Sequence, residues 1–506
     1  MTNLQPTIAP DTLLTQHLPI LLVIVPLLSA PLIVLLRRAF LSWLVAMIAS
    51  VAAFGIAALL LQQVLASDGV IAYAIGNWEA PLGIELRVDA VNAFVAFIVA
   101  LVGVFVLPYC RIGIAAEVRQ EEHYLFYAML MLCLCGLLGI LLTGDAFNVF
   151  VFLEISSLAT YVLIAMGRDR RALVASYQYL LMGTVGATLY VIGIGILYLQ
   201  TGTLNLADMA QRLSGVGDVR ATLAALAFIT VGVSLKIALF PLHLWLPNAY
   251  AYSPSAVSAF LAATATKVSI YVLMRYYFTV FGAVTVFDAH NTGMILLALS
   301  LAAMFIPAVV AIFQRDVKRL LAYSSVSQIG YITLGISLGT VGGLTAAIAH
   351  LFNHALTKGA LFLVLGGIVL RCGGANLDRL AGIGRTMPVA AFAFVIGGLS
   401  LIGIPGTAGF ISKWYLVTAA MAEGQWWLAG AVMLSSLLAV IYVWRFVEVA
   451  YFQAPPDDHP PVGEAPLSMR VPALLMVGAC VYFGLDATWS GEVATRAATA
   501  LLEGWQ

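Results

Sequence analysis

The stretch AHLFNHALTKGALFL, residues 349–363, reads as the filling of a membrane helix, yet it carries His350, His354 and Lys358, each four positions after the last. On an α-helix that spacing stacks all three along one face. Basic groups aligned inside a strongly apolar segment need a reason, and the composition of the whole chain sharpens the question. Of 506 residues, 62% are hydrophobic and 9% are charged, against about 25% charged in a soluble protein. Mean hydropathy is +1.01. The chain therefore reads as an integral membrane protein. Its apolar runs are continuous and rich in Leu, Ala, Gly and Ile, which selects helices over a β-barrel.

Runs of about 20 apolar residues, enough to span a bilayer, recur along the full length. Fourteen spans are expected: 18–36, 40–62, 88–110, 123–143, 146–166, 174–199, 221–249, 254–282, 292–313, 317–337, 342–371, 387–421, 427–451 and 470–487. The longest polar connections, 63–87, 200–220 and 452–469, cannot hold a soluble domain, which leaves no room for a flavin, nucleotide or iron–sulfur centre. The segment TGTLNLADMAQRLSGV (201–216) is too polar to span; Leu204, Leu206, Met209 and Leu213 fit a short external amphipathic helix. The five cysteines lie in or beside apolar runs without metal-ligand spacing and read as small fillers. No metal or cofactor is expected. Net charge is zero, giving no electrostatic case for nucleic acid. The opening MTNLQPTIAPDTLLTQHLP lacks a basic region before its first apolar run, unlike a cleaved signal peptide.

Basic residues mark one side of the membrane. Arg37, Arg38, Arg111, Arg119, Arg168, Arg170, Arg171, Arg315, Lys318, Arg319, Arg371, Arg379, Arg385 and Arg470 fall on alternate connections, with Lys318 read as a loop residue. Opposite connections hold Arg87, Arg212 and Arg220. Fourteen spans then put both termini outside and the basic loops in the cytoplasm.

Lys236, Lys267, Lys358 and Lys413, four of the five lysines, fall inside apolar spans. At 1.5 Å per residue, Lys267 and Lys358 are roughly 20 Å deep, near the midplane of a membrane about 40–45 Å thick. Each buried charge costs about 2.5–3.5 kcal/mol, so four lysines plus Glu154, roughly 13 Å deep, cost on the order of 10 kcal/mol. A single such lysine serves well as a register-fixing salt bridge. An array at one depth, with two histidines and a carboxylate, reads as an ion or proton path. Glu154 and Lys236 make the natural pair: an opposite charge stabilises the ammonium while desolvation opposes it, so opening the pair would release a proton.

Two spans carry helix breakers beside their lysine. In VSLKIALFPLHLWLPNAYAYSPSAVSAFL (233–261), Pro241 and Pro247 follow Lys236; in SLIGIPGTAGFISKWYLV (400–417), Gly403, Pro405, Gly406 and Gly409 precede Lys413. Proline removes a backbone donor and breaks the helix. Broken helices at matching places, with opposite polarity, point to inverted repeats and a transport site. His243 in PLHLWLP is either a relay group or a histidine near the membrane edge. Thr264, Thr266, Ser324, Ser325, Ser327 and Gln328 add polar atoms where helices should meet, as packing residues or water holders. The opening stretch then reads as a proton wire: titratable groups about 6 Å apart, with histidine able to pass a proton near neutral pH.

SLKIALFPLHLWLPNAYAYSPSAVSAFLAATATKVSIYVLMR, LLAYSSVSQIGY, HLFNHALTKGALFL and PGTAGFISKWYL together resemble the antiporter-like subunits shared by complex I, membrane-bound hydrogenases and Mrp cation/proton antiporters. NAYAYSPSAVSAFLAATATK and GFISKWYL most resemble the D-type subunits of Mrp antiporters. The likeness covers about residues 80–450. It implies an all-α polytopic fold of fourteen helices with two inverted five-helix repeats and discontinuous helices. N-terminal helices would occupy 1–115, the repeats 116–285 and 286–452, and a cytoplasmic loop, last span and C-terminal tail 453–506. It implies a midplane axis of Glu154, Lys236, Lys267, His350, His354, Lys358 and Lys413, and a hetero-oligomer with other membrane subunits that exchanges protons for a monovalent cation in the cell membrane. A redox-linked proton-pumping subunit of a complex I-like or hydrogenase assembly uses the same charges; a scaffold would use them only to fix packing. No nucleophile–base set supports an enzyme.

Overall fold

The computed structural model describes residues 13–67, 69–215, 219–289, 291–455 and 462–504. The first twelve residues, most of the segment read for a signal peptide, lie outside these, as does 456–461 within the 452–469 connection. Among the described residues, twelve helices are long and apolar enough to cross a membrane. The other two expected spans are also helical. Val317–Ser337 is a full-length helix, buried over most of its length, whose serines and Gln328 dilute its apolarity. The 387–421 stretch is two half-helices, Pro388–Ile402 and Ala408–Ala422, each too short to cross alone.

Large apolar side chains such as Leu28, Leu35, Leu199, Phe392 and Met433 point outward, the arrangement a lipid environment favours. At the centre lies Val341–Cys372, the helix of the opening stretch. It packs against Ala90–Glu117, Ser255–Ala263, Val317–Ser337, Pro388–Ile402, Ala408–Ala422 and Leu467–Leu485.

An internal repeat is written in backbone hydrogen bonds. Asp145 bridges Asn205 and Asp316 bridges Asn376, antiparallel in both cases and 60 positions apart in each. Ala146 N donates to Leu204 O and Leu206 N to Gly144 O; Val317 N donates to Ala375 O and Leu377 N to Arg315 O. Each aspartate then caps the helix that follows, accepting from Asn148 N at 2.8 Å and Arg319 N at 3.0 Å. Each asparagine caps a short connector helix, Leu206–Leu213 or Leu377–Leu380. Five crossings separate the two bridges, Ala146–Ala165, Arg171–Thr201, the broken Val219–Tyr252 stretch, Ser255–Val280 and Thr292–Ile312. An odd number puts the bridges on opposite faces, so the repeats are inverted.

The loop contacts fall into two groups. On one side Arg168 donates to Val118 O, Lys318 to Ser253 O, Arg319 to Tyr252 Oη and Arg371 to Glu464 O. On the other, Gly144 N donates to Glu85 O, Asn205 Nδ2 to Glu85 Oε1 and Arg496 to Leu65 O.

One expectation about the connections needs correction. Lys318 is not a solvated loop residue: it opens Val317–Ser337, is 7% exposed, and its ammonium reaches the carbonyl that ends Trp245–Tyr252. A basic group at a helix C-terminus satisfies an orphan carbonyl and meets the negative end of the dipole. Within and just past the 63–87 connection, Ile71–Ala74 and Glu85–Val88 form a two-stranded antiparallel sheet. The C-terminal tail is a helix, Thr488–Glu503, burying Val493, Ala494, Ala497 and Leu501. Its apolar residues recur at three- and four-residue steps, the amphipathic spacing.

Candidate functional site

The Lys236 span breaks after Ile237. Ala238 takes a left-handed φ of +61°, and Pro241 lies in the irregular segment before Trp245–Tyr252. Pro247, expected to break the helix as well, sits in the first turn of the new helix, where a missing N–H costs nothing. Lys236 is at the C-terminal end of the first half-helix. Its Nζ lies 3.6 Å from Glu154 Oε1 and donates to Ser157 Oγ at 2.7 Å. The pair is uneven: Lys236 is 5% exposed and Glu154 25%. Glu154 and Ser157 are three residues apart, on one face of Ala146–Ala165.

Lys267 is fully buried. The helix carrying it is interrupted at Thr264, and its ammonium donates to Ala262 O beside that interruption and faces Thr266 Oγ1.

On the central helix, Lys358, also fully buried, donates to Leu321 O at 2.8 Å and Ser324 Oγ at 2.5 Å on Val317–Ser337. His350 lies 3.0 Å from Gln328 Oε1 through Nε2 and 2.8 Å from Ser412 Oγ through Nδ1. His354 stacks on His350 with ring centroids 6.0 Å apart. Both ring nitrogens of His354, and Asn353 Oδ1 beside it, are buried without a protein partner.

Lys413 reaches back across the second break. Gly403, with φ +89°, ends the first half-helix, and Pro405 has no N–H to return to Leu401 O. Lys413 Nζ takes that carbonyl at 3.1 Å and Ile402 O at 2.8 Å, together with Ser436 Oγ at 3.0 Å. It lies 4.5 Å from the Tyr331 ring centroid, a cation–π contact. Gly409 makes this possible: a Cβ there would lie 1.8 Å from Ser400 O. In the first repeat Trp245 Nε1 donates to Leu235 O at 2.9 Å, so an indole serves the freed helix end that an ammonium serves in the second.

Lys236, Lys267, Lys358, Lys413, His350 and His354 are buried in the helix bundle and Glu154 is half-buried; His243 is buried too but stands apart from them. It stacks on Phe240, edge-on to Tyr323, with Nδ1 unpartnered. Ser325 and Ser327 bond backbone carbonyls of Leu321 and Met304 and take a packing role. Sequence reasoning passed over Ser157, Tyr331, Ser412 and Ser436, which touch the array, and the buried ion pair of Arg275 with Asp89 at 2.6 Å. Arg275 was visible as a charge eight positions beyond Lys267; Tyr331 carried no signal in a span full of aromatic residues. Among the described residues, no three His, Cys, Asp or Glu side chains gather as metal ligands.

Among the described residues, the arrangement holds ammonium groups in a low-dielectric interior mostly by neutral carbonyls and hydroxyls, with a single carboxylate beside one of them. Such sites can keep or give up a proton at modest cost, where a tight carboxylate bridge would fix it.

The NADH:quinone oxidoreductase/Mrp antiporter transmembrane family matches residues 143–439. The chain is 41% identical over 487 residues to NADH-quinone oxidoreductase subunit N of Desulforudis audaxviator, covering 93% of this chain and 96% of the relative. It is 30% identical over 484 residues to the D-type subunit of the Na(+)/H(+) antiporter of Bacillus subtilis, covering 96% and 97%. Among solved structures, a chain of the Mrp complex from Dietzia sp. superposes with TM-score 0.88 at 26% identity, covering 97% of this chain and 98% of that one. A chain of the membrane-bound sulfane sulfur reductase, an archaeal respiratory membrane complex, gives 0.88 at 27%, covering 96% and 98%. The chain belongs to the NADH:quinone oxidoreductase/Mrp antiporter family of membrane subunits.

Proposed function

We propose that this chain is the proton-translocating subunit of a multisubunit Na⁺(K⁺)/H⁺ antiporter in the cell membrane, with its basic loops in the cytoplasm and both termini outside. Residues 116–285 and 286–452 are its two repeats. Protons pass along Glu154, Lys236, Lys267, Lys358, His354, His350 and Lys413. The chain is a transporter subunit rather than an enzyme, and it works beside other membrane subunits. One observation carries the reading: four intramembrane lysines rest on carbonyls and hydroxyls at helix breaks and serines, and among the described residues one alone faces a carboxylate. A scaffold would pair its charges. The unpartnered nitrogens of His354 and Asn353 Oδ1 are the atoms that buried waters would bridge, linking Lys358 to His350.

The test is antiport in inverted vesicles, followed with an acridine dye under Na⁺, K⁺ or Li⁺. Lys236→Ala and Glu154→Ala are each expected to assemble and to lose exchange at least about tenfold, some 1.4 kcal/mol. Failure to assemble, with exchange proportional to the assembled fraction, would favour a scaffold. The 41% identity to a quinone oxidoreductase subunit favours a second reading, a proton-pumping subunit of a quinone-linked complex. Co-purification separates the two: small membrane subunits for the antiporter, quinone- or hydrogenase-type subunits for the pump.

A further inference from the structure

The Arg275–Asp89 pair lies off the lysine array. Lys267, Tyr271 and Arg275 are spaced by four on one span, so they share a face with about 6 Å per step. Arg275 and Asp89 are 2% and 3% exposed. Arg275 Nη2 donates to Asp89 Oδ2 at 2.6 Å, Nε to Tyr271 Oη at 3.2 Å and Nη1 to Thr279 Oγ1 at 3.1 Å. Tyr271 in turn donates to Leu141 O at 3.1 Å. The other Asp89 oxygen caps Ala90–Glu117 through the N–H groups of Val91 and Asn92. Asp89 and Ala90 also line an open cavity of about 360 Å³, together with Thr495, Arg496, Thr499 and Glu503 of the C-terminal helix. Arg275 thus stands between that cavity and Lys267.

A buried ion pair adds little net stability, because desolvation offsets the attraction. Its chemistry here differs from that of the lysines. A guanidinium does not give up its proton, and a fixed positive charge in a narrow polar route repels hydronium. We propose that Arg275, neutralised and held by Asp89, is an electrostatic gate on a polar branch running from Lys267 past Tyr271 to the cavity under the C-terminal helix. The branch opens on the side of the 63–87 connection. The proposal rests on the lysine array carrying protons. Arg87 and Glu85 lie near the pair, and with Arg496 and Glu503 they stay unchanged in every variant below.

A gate and a strut give opposite patterns. Asp89→Asn keeps a capping oxygen but leaves the guanidinium uncompensated. Per assembled complex in proteoliposomes, antiport should fall about tenfold, equivalent to about 1.4 kcal/mol. Arg275→Gln removes the plug, and passive proton leak should rise about tenfold on the same scale. The neutral double variant should assemble as the parent does and still leak. If both single variants merely lower assembly and neither Arg275→Gln nor the double variant leaks, the gate is overturned. If none of the three assembles, Ala90→Cys in the otherwise unchanged chain decides: reaction with a membrane-impermeant maleimide from that side supports a wet cavity reaching Asp89, and protection overturns the branch. Lys236→Ala measured alongside separates the two failures. Full antiport in that variant would sink the lysine array itself, whereas loss of antiport beside an inert Asp89–Arg275 pair sinks only the gate.

Discussion

All five lysines of this chain are buried, from Lys318 at 7% exposure to Lys267 and Lys358 at 0%. Their partners are what the sequence could not show. Hydropathy and helical depth were enough to flag Lys236, Lys267, Lys358 and Lys413, since a charge inside an apolar run is legible from composition alone. The neighbours that make each site tolerable come from other helices and have no signature in their own stretch. Tyr331 is the clearest case, and it carries a prediction. Tyr331→Phe keeps the ring face under Lys413 and should leave transport near the parent level. Tyr331→Leu removes a contact worth about 0.5–2 kcal/mol and should lower turnover several-fold, measured per assembled complex. Lys318 was misread for the complementary reason: its place beside Arg315 and Arg319 resembles a loop, and only the packing of Val317–Ser337 against Trp245–Tyr252 buries it.

The broken helices were legible from proline and glycine, but the position of each break was not. Both Pro241 and Pro247 interrupt the pattern; register alone decides that the first lies in the gap and the second in a helix's first turn. Pro247→Ala should therefore change stability by no more than about 0.5 kcal/mol, seen as an unchanged thermal midpoint of the purified complex. Gly409→Ala should do the reverse. Its Cβ would have to displace the Ser400 carbonyl, so the two half-helices must separate, at about 1–3 kcal/mol or more. The readout is a lower midpoint and a lower yield of assembled complex. The C-terminal helix was missed because Thr, Ser and Arg dilute its apolar face below that of a span, although its three- and four-residue spacing was there to read.

Across the molecule, the loop contacts fall into two groups, and the excess of Arg and Lys in one of them leads us to expect that group in the cytoplasm. Cysteines placed at the exposed Glu79 and Arg379 should accordingly label from opposite sides of the membrane, Glu79 from outside. The repeat was less legible: Asp145, Asn205, Asp316 and Asn376 are ordinary turn residues until the backbone bridges align them. What the whole assembly is taken to do is load and unload protons at lysines. Arginine at one of them tests this most directly. Lys236→Arg keeps the positive charge and can keep the contact with Glu154, but a guanidinium holds its proton at any physiological pH. The measurement is proton flux through the assembled complex in vesicles, normalised to complex present. Normal assembly with flux lost is the predicted result; flux equal to that of the unsubstituted chain would show that charge alone is needed at position 236, and would contradict a relay through Lys236.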